Sequence, residues 1–162
     1  MIETILLAVG RDDENRVDEL VNHTIDIAES TDATVIVAHV LSKSEYEDEA
    51  QSYQDAINQL GLDVRDQDLS PETLAKETDL VGEILDRLSD AGIDIETRAA
   101  LGDEADEIIR IAKDVRADVL IVGGQNRSPT GKAVFGSTAQ EVLLTAPCPV
   151  TFVREGIYQD QS

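Results

Sequence analysis

A glycine- and hydroxyl-rich segment with two basic side chains carries the strongest chemical signal in this sequence. It covers residues 123–132, follows a predicted strand and precedes a helical pattern. Glycines let backbone N–H groups approach an anion, and the start of the next helix adds unpaired donors and the positive end of its dipole. Arg127 and Lys132 supply positive charge. The chemistry that these residues favour is phosphate binding.

The distribution of charge supports the same segment. Asp and Glu make up 34 of the 162 residues, yet residues 119–140 contain neither. Part of this absence belongs to the apolar strand that opens the stretch. What remains is a cationic loop in an otherwise acidic protein, as a phosphate site requires. The alternative is a Gly- and Ser-rich connection that binds no ligand.

Two nucleotide-binding patterns can be compared with this loop. A P-loop needs Gly, four residues, and then Gly-Lys-Ser or Gly-Lys-Thr. Asn126 stands at the first glycine position and Ala133 stands at the hydroxyl position, so the P-loop fails twice. The second pattern is Gly, two residues, Gly, nine residues and then Gly-Ser or Gly-Thr. Gly123 matches its first position, Gly136 and Ser137 match its last pair, and Asn126 stands at its second glycine.

The second pattern resembles the ATP-binding loop of the universal stress protein family. Further segments that resemble the family span the chain: Ile5-Leu6-Leu7-Ala8-Val9, Ala38-His39-Val40, Gly102-Asp103 and Ala146-Pro147-Cys148-Pro149-Val150. The resemblance implies ATP or a related nucleotide, with or without Mg²⁺. The implied binding residues are Ala8, Gly10, Val40, Val122, Gly123, Asn126, Arg127, Lys132, Gly136, Ser137 and Thr138.

Two of these positions depart from the family pattern. Members that bind ATP usually carry Asp after the first strand, to hold the adenine or the ribose, where this chain has Gly10. Asp12 or Asp13 could replace that carboxylate only by a different backbone route. Asn126 can retain the loop shape, because Asn tolerates a left-handed backbone, but its side chain could crowd a phosphate.

Strands that alternate with helices must position this loop. Apolar runs predict strands at residues 4–9, 34–40, 119–122 and 150–153, and an alternating run predicts a strand with one wetter face at residues 93–100. Apolar stripes predict helices at residues 17–28, 74–88, 105–112 and 139–146, the third stripe being Ala105, Ile108, Ile109 and Ala112. Ser70 and Pro71 should begin the second of these helices, and Gly92 should end it.

One segment predicts a helix in addition to the four already named. Residues 45–60 carry apolar side chains at four-three-four-three spacing, which predicts an extra amphipathic helix followed by an acidic loop at residues 63–68. A solvated surface helix, a mobile cover over a site and an oligomer contact all remain open.

The predicted fold is α/β. Alternating strands and helices imply right-handed crossovers and a doubly wound sheet. The resemblance implies a single domain with a five-stranded parallel sheet in the order 3-2-1-4-5 and helices on both faces, similar to adenine nucleotide alpha hydrolases. We expect this domain over residues 1–155 and a polar tail over residues 156–162. The resemblance also implies a homodimer through the last strand, from Thr151 to Arg154, which is a bare sheet edge unless paired.

The amino-acid composition restricts the partners and the cellular location that we expect. The formal net charge of −21 argues against nucleic acid as a partner, since cations drive that binding. The chain is also poor in Lys, so we interpret it as adapted to a cytoplasm of molar salt, where the Debye length is about 3 Å. An ordinary acidic protein is the alternative. No signal peptide and no apolar run of membrane-spanning length is apparent, so we expect a cytoplasmic protein without a membrane partner.

The remaining reactive residues favour structural roles. His23 and His39 have no second ligand or nucleophile at useful spacing, and the single Cys148 is expected to be a buried, inert thiol. The predicted function is a nucleotide-responsive stress-response module that acts on an unknown protein partner through binding rather than catalysis. One alternative is a slow ATPase or nucleotide-dependent transferase on the same loop. The other is a family member that has lost nucleotide and acts by protein contacts, which Gly10 and Asn126 favour.

Overall fold

The computed structural model of this chain contains a five-stranded, all-parallel sheet, and it describes residues 2–60, 79–124 and 137–154. The strand order is β3-β2-β1-β4-β5, so the predicted doubly wound fold is confirmed. The strands are β1 (Thr4–Val9), β2 (Thr34–Leu41), β3 (Ile95–Leu101), β4 (Val119–Gly124) and β5 (Val150–Arg154). As predicted, β3 alternates between half-buried and exposed residues over most of its length.

Helices connect the strands along the described chain. They are α1 (Val17–Thr31), α2 (Lys43–Gln59), α3 (Asp79–Asp90), α4 (Glu104–Val115) and α5 (Ser137–Thr145), and a 3₁₀ helix (Arg11–Arg16) joins β1 to α1. Helix α2 confirms the predicted extra helix. Gly92 follows α3 with a φ of +77°, so it ends that helix as predicted. The predicted helix start at Ser70 and Pro71, the acidic loop and the polar tail lie outside the described residues.

The sheet buries apolar side chains on both faces, which explains the nearly continuous apolar runs of β1 and β2. On one face, Leu7 packs with Leu20 of α1 and Ile84 of α3. On the other face, Leu6 packs in a second cluster that includes side chains of α4 and α5. Among the described helices, none is long and apolar enough to cross a membrane.

The stripe on α4 differs in one position from the prediction. Ala105, Ile108 and Ala112 are buried as expected, but Ile111 completes the buried face while Ile109 is only half-buried. A helix packed flat on a sheet buries residues three apart as readily as residues four apart. The spacing in the sequence therefore could not show which of Ile109 and Ile111 is the more buried.

The turn before α4 places the start of that helix at the carboxyl edge of the sheet. Gly102 has a φ of +142°, a backbone conformation that only glycine adopts readily, and its N–H donates to the carbonyl of Leu41 at the end of β2 at 3.0 Å. The Asp103 side chain then caps α4 by accepting from the backbone N–H of Asp106 at 3.0 Å. These contacts fix the direction in which Glu104, the first residue of α4, leaves the sheet.

At the amino-terminal ends of the strands, the carboxylate of Asp118 joins β1 to β4. Asp118 Oδ2 accepts from the backbone N–H groups of Glu3 at 2.8 Å and Thr4 at 3.0 Å, and the Asp118 N–H donates to the Thr4 carbonyl at 2.8 Å. These donors hold the pKa of Asp118 below its ordinary value, the bond from Glu3 having the largest effect. The starts of β1 and β4 are thereby held in register.

Candidate functional site

The strand order places a crevice between β1 and β4 at the carboxyl edge of the sheet. The chain winds from β1 to β2 and β3 on one side, and then returns to β4 and β5 on the other. Ligands of doubly wound sheets bind outside the strand ends where the order reverses. Ala8 pairs with Val122 across this junction, β1 is followed by Gly10, and β4 ends at Gly124. The segment that was predicted to bind phosphate therefore begins at this crevice.

Three of the predicted site residues share one face of the sheet beneath the crevice. Val40, Ala8 and Val122 lie on the adjacent strands β2, β1 and β4, respectively, and are all buried. They belong to the apolar cluster that also contains Ala105 and Ile108 of α4. The structure therefore brings these three residues together as a closely packed, apolar floor.

Gly10 turns the chain from β1 into the 3₁₀ helix. Its backbone is extended, with φ −129° and ψ 174°, so its conformation does not itself require glycine. Its N–H donates to Asp13 Oδ2 at 2.8 Å, and its carbonyl accepts from the Asp13 N–H at 3.0 Å. The carboxylate of Asp13 does return to the end of β1, but it does so to hold this turn.

Asp13 also forms a buried ion pair with Arg16, one turn later in the 3₁₀ helix. Asp13 Oδ1 accepts from Arg16 Nη1, and the two residues are only 6% and 3% exposed. A buried pair of this kind is strongly destabilising when one partner is removed, by about 3–5 kcal/mol. Sequence reasoning missed the pair, although an acid and an Arg three residues apart directly after a buried strand are a recognisable signal.

Gly123 accommodates this ion pair at the end of β4. A Cβ atom on Gly123 would lie 2.6 Å from Arg16 Cδ and 2.7 Å from Asp13 Oδ1, closer than real Cβ atoms approach other heavy atoms. Gly123 follows Val122, so it faces the side of the sheet that carries α1 rather than the side of Ala8. The missing side chain at this position is therefore required by the protein's own charges.

Glu104 occupies the corresponding space at Gly10. A Cβ atom on Gly10 would lie 3.1 Å from Glu104 Oε1 and 3.8 Å from Glu104 Cδ. The side chain itself is exposed, at the crevice end of α4. Sequence reasoning did not identify Glu104, because Gly10 and Glu104 lie far apart in the chain.

The other predicted residues lie either between β4 and α5 or in the first turn of α5. Ser137 is the first residue of α5 and Thr138, which is half-buried, is the second, so both stand at the helix end that attracts anions. The predicted positions Asn126, Arg127, Lys132 and Gly136 lie outside the described residues.

Comparison with known proteins identifies the family. The sequence profile of the universal stress protein family matches residues 1–154. The chain belongs to the universal stress protein family. A universal stress protein of Methanothermobacter thermautotrophicus is 28% identical over 149 residues, covering 85% of this chain and 87% of that protein. One from Mycolicibacterium smegmatis is 39% identical over 77 residues, which cover 45% of this chain and only 59% of the relative.

Solved structures of universal stress proteins share the fold. One from Archaeoglobus fulgidus has a TM-score of 0.67 at 22% identity, covering 94% of this chain and 99% of that one. A structure from the same organism is in complex with dAMP, with a TM-score of 0.61, 20% identity and coverage of 94% and 99%. A family protein from Arabidopsis thaliana has AMP bound, with a TM-score of 0.60, 18% identity and coverage of 99% and 96%.

The histidines and the thiol of this family member serve the structure. His39 is 2% exposed at the end of β2, and its Nδ1–H donates to the Val9 carbonyl at 3.0 Å, which ties β2 to β1 beside the crevice. Its other ring nitrogen has no hydrogen-bond partner among the described residues. His23 is half-buried on α1.

Cys148 is half-buried, so its thiol is less buried than predicted. It packs against the apolar cluster on the α4 face. Partial burial raises the pKa of this thiol, and the negative charge of Asp118 raises it further. A raised pKa disfavours the reactive thiolate.

Three exposed carboxylates stand close together near the start of α4. Asp103, Asp106 and Glu141 offer oxygen atoms within 4.8 Å of one another, a spacing that could hold a cation. Asp103 already serves as the helix cap through the Asp106 N–H. In so acidic a chain, an exposed cluster of this kind is an ordinary consequence of composition.

Proposed function

We propose that this chain binds ATP or a related nucleotide at the carboxyl edge between β1 and β4, and that it acts in the stress response through binding rather than catalysis. One observation carries the proposal. The loop that carries the family's glycine pattern leaves the sheet at the end of β4, where the strand order reverses, and leads to Ser137 and Thr138 in the first turn of α5. The AMP and dAMP held by solved family members support the same class of ligand.

The described side chains at this edge favour binding over catalysis. The charges of Asp13 and Arg16 are directed at each other, and the Nδ1–H of His39 is directed at a backbone carbonyl. A general base must be able to reach the proton that it removes. The ATPase alternative predicts steady phosphate release from ATP in molar KCl. A colorimetric phosphate assay measures this directly.

Calorimetry with ATP, GTP and tripolyphosphate tests the proposal. Phosphate contacts should dominate, so we expect a Kd in the micromolar range or weaker, about 8 kcal/mol at most, with little preference between the two bases. The titrations are run at two high KCl concentrations, one of them molar, and each is repeated with and without Mg²⁺. Gly136→Val should abolish binding by obstructing the backbone, while its melting curve shows whether the fold survives.

A second candidate function is a protein-contact role without nucleotide. It is favoured by Gly123, whose free space is filled by the chain's own ion pair. If the unmodified protein shows no heat with ATP, GTP or tripolyphosphate at millimolar concentration, this second function replaces the first.

The proposal includes a cytoplasmic location. A net charge of −21 is best tolerated where abundant salt screens it. Fractionation of the source cells with an antibody against the chain tests this placement.

A further inference from the structure

The backbone of β3 leaves one row of hydrogen-bonding groups on the open side of the sheet. This strand is the edge of the sheet opposite to β5, and it pairs with β2 along its whole length. The Val35 N–H donates to the Asp94 carbonyl at 2.9 Å, and the Gly102 N–H donates to the Leu41 carbonyl at 3.0 Å, so even-numbered residues direct their backbone groups at β2. The residues that direct theirs outward are therefore Ile95, Thr97 and Ala99.

The two charged side chains of β3 have opposite signs and lie on one face of the strand. Glu96 and Arg98 are exposed, and they share the α4 face with Ala100, which is buried in the cluster there. Among the described residues, neither has an ion-pair partner. The edge therefore presents an acid and a base on either side of Thr97.

We propose that two copies of this chain pair antiparallel through β3, about a two-fold axis at Thr97. In this register Thr97 exchanges backbone hydrogen bonds with Thr97 of the second copy, and Ile95 does the same with Ala99 of the second copy. Glu96 then stands directly opposite Arg98 of the second copy. These two form a pair without backbone hydrogen bonds, whose Cα atoms are about 4.5 Å apart and whose side chains are closest. The two-fold axis repeats each contact, so the edge is complementary to itself.

The charges favour this register over its neighbours. An axis moved by one residue, to Glu96 or to Arg98, would place that residue opposite its own copy, and like charges directly opposite each other destabilise a strand pair. Charges on an edge strand ordinarily prevent pairing with other strands. A complementary arrangement still excludes most strands, but it admits the same strand of a second copy.

This contact should be weak and should be favoured by salt. One short strand per copy buries less surface than a stable dimer needs, so we expect a Kd on the order of 1 mM and no pairing through β3 at micromolar concentration. Each copy carries a net charge of −21, and molar salt confines that repulsion to about 3 Å. The contact uses neither the crevice nor β5, so it is independent of nucleotide binding and of the implied dimer.

An exchange of the two edge charges tests this pairing. Small-angle X-ray scattering in molar KCl measures the weight-average mass from micromolar to millimolar protein. For the unmodified protein we expect that mass to rise by about half as the chain concentration reaches the Kd. Glu96→Arg and Arg98→Glu should each lose the rise, because each opposes like charges. An equal mixture of the two variants should regain it, because one copy offers two Arg side chains and the other two Glu side chains in the same register.

Asp114→Arg is the matched control. Asp114 is exposed on α4, and its replacement changes the net charge by the same amount as Glu96→Arg, so this variant should keep the rise in mass. Melting curves show whether each variant is folded. A constant mass of the unmodified protein up to millimolar concentration would overturn the inference, and the edge charges would then only keep β3 solvated. A mixture no larger than its two components would overturn it as well.

Discussion

At the scale of single residues, the two crevice glycines are small because other side chains of the protein need their space. Gly123 adjoins Arg16 and Asp13, and Gly10 adjoins the end of Glu104. The two cases differ in how readily the neighbour can move. Asp13 is held by both the Gly10 N–H and Arg16, whereas the end of an exposed Glu side chain can rotate away.

Gly123→Ala should therefore destabilise the fold. The new methyl group would meet the buried ion pair at less than 3 Å, so we expect a loss of about 1–3 kcal/mol, as for other overpacked sites. Gly10→Ala is the control, because among the described residues its methyl group would meet the movable end of one exposed side chain, that of Glu104, and it should change stability by no more than about 0.5 kcal/mol. Urea unfolding in molar KCl measures both. Equal stability of the two variants would show that the pair does not occupy the space at Gly123.

Asp118 provides a pH-dependent test at the same scale. Its pKa is lowered by the N–H groups of Glu3 and Thr4, so its contribution is complete above the ordinary value of 3.8 and disappears as pH falls through the lower folded value. Asp118→Asn should lower the melting temperature at pH 7 and lose its effect in strong acid. Asp114→Asn, which removes an exposed acid on α4, is the control for the loss of one negative charge. An Asp118→Asn deficit that persists unchanged at low pH would contradict the assignment.

At the scale of elements, the last strand, β5, is the contact through which the resemblance implies a dimer. It is one edge of the sheet, and Leu144 on the preceding helix α5 is 76% exposed. We propose that two copies of the chain pair through β5, which would cover an edge that otherwise invites aggregation. Phe152 packs into the core on the α4 face, so a charge there would disturb folding as well as pairing.

Thr151→Lys tests this pairing more cleanly than a change at Phe152. Thr151 is half-buried in β5, and a charge there should convert a dimer into monomers by opposing edge-to-edge pairing. Thr97→Lys is the matched control, because Thr97 is a half-buried threonine on β3, the opposite edge of the sheet. Sedimentation in molar KCl measures whether the unmodified protein and each variant are dimers or monomers. A monomeric unmodified protein, or a dimeric Thr151→Lys variant, would remove β5 as the interface.

At the scale of the whole molecule, net charge should govern stability. In about 10 mM salt the Debye length is about 30 Å, so repulsion among 21 excess negative charges acts across the domain, whereas molar salt confines it to about 3 Å. We expect the melting temperature to rise by several degrees between 10 mM and molar KCl, measured by circular dichroism. A triple variant of the exposed acids Glu29, Glu47 and Asp48 to their amides should depend less on salt. Equal melting temperatures at both salt concentrations would contradict adaptation to salt.

Local sequence patterns were sufficient for the elements and their order. Burial on both faces makes β1 and β2 continuously apolar, and helical spacing marks α1 and α2, because these periods follow from backbone geometry alone. Gly92 ended α3 as predicted for the same reason. Motifs spread along the chain then implied the strand order through the family. Exact burial was less predictable, as Ile111 shows, since it depends on how a helix rests on its sheet.

The fold, the family and the strand ends at which we propose a site could be predicted from the sequence, since each depends on residues close together in the chain or on a fixed motif. Tertiary structure alone decided what those ends contain. Asp13 and Arg16 meet Gly123, and Glu104 meets Gly10, across separations that no periodicity spans. Parallel strands bring their carboxyl ends to one edge regardless of chain distance, so the side chains that share a crevice are chosen by the register and packing of the sheet.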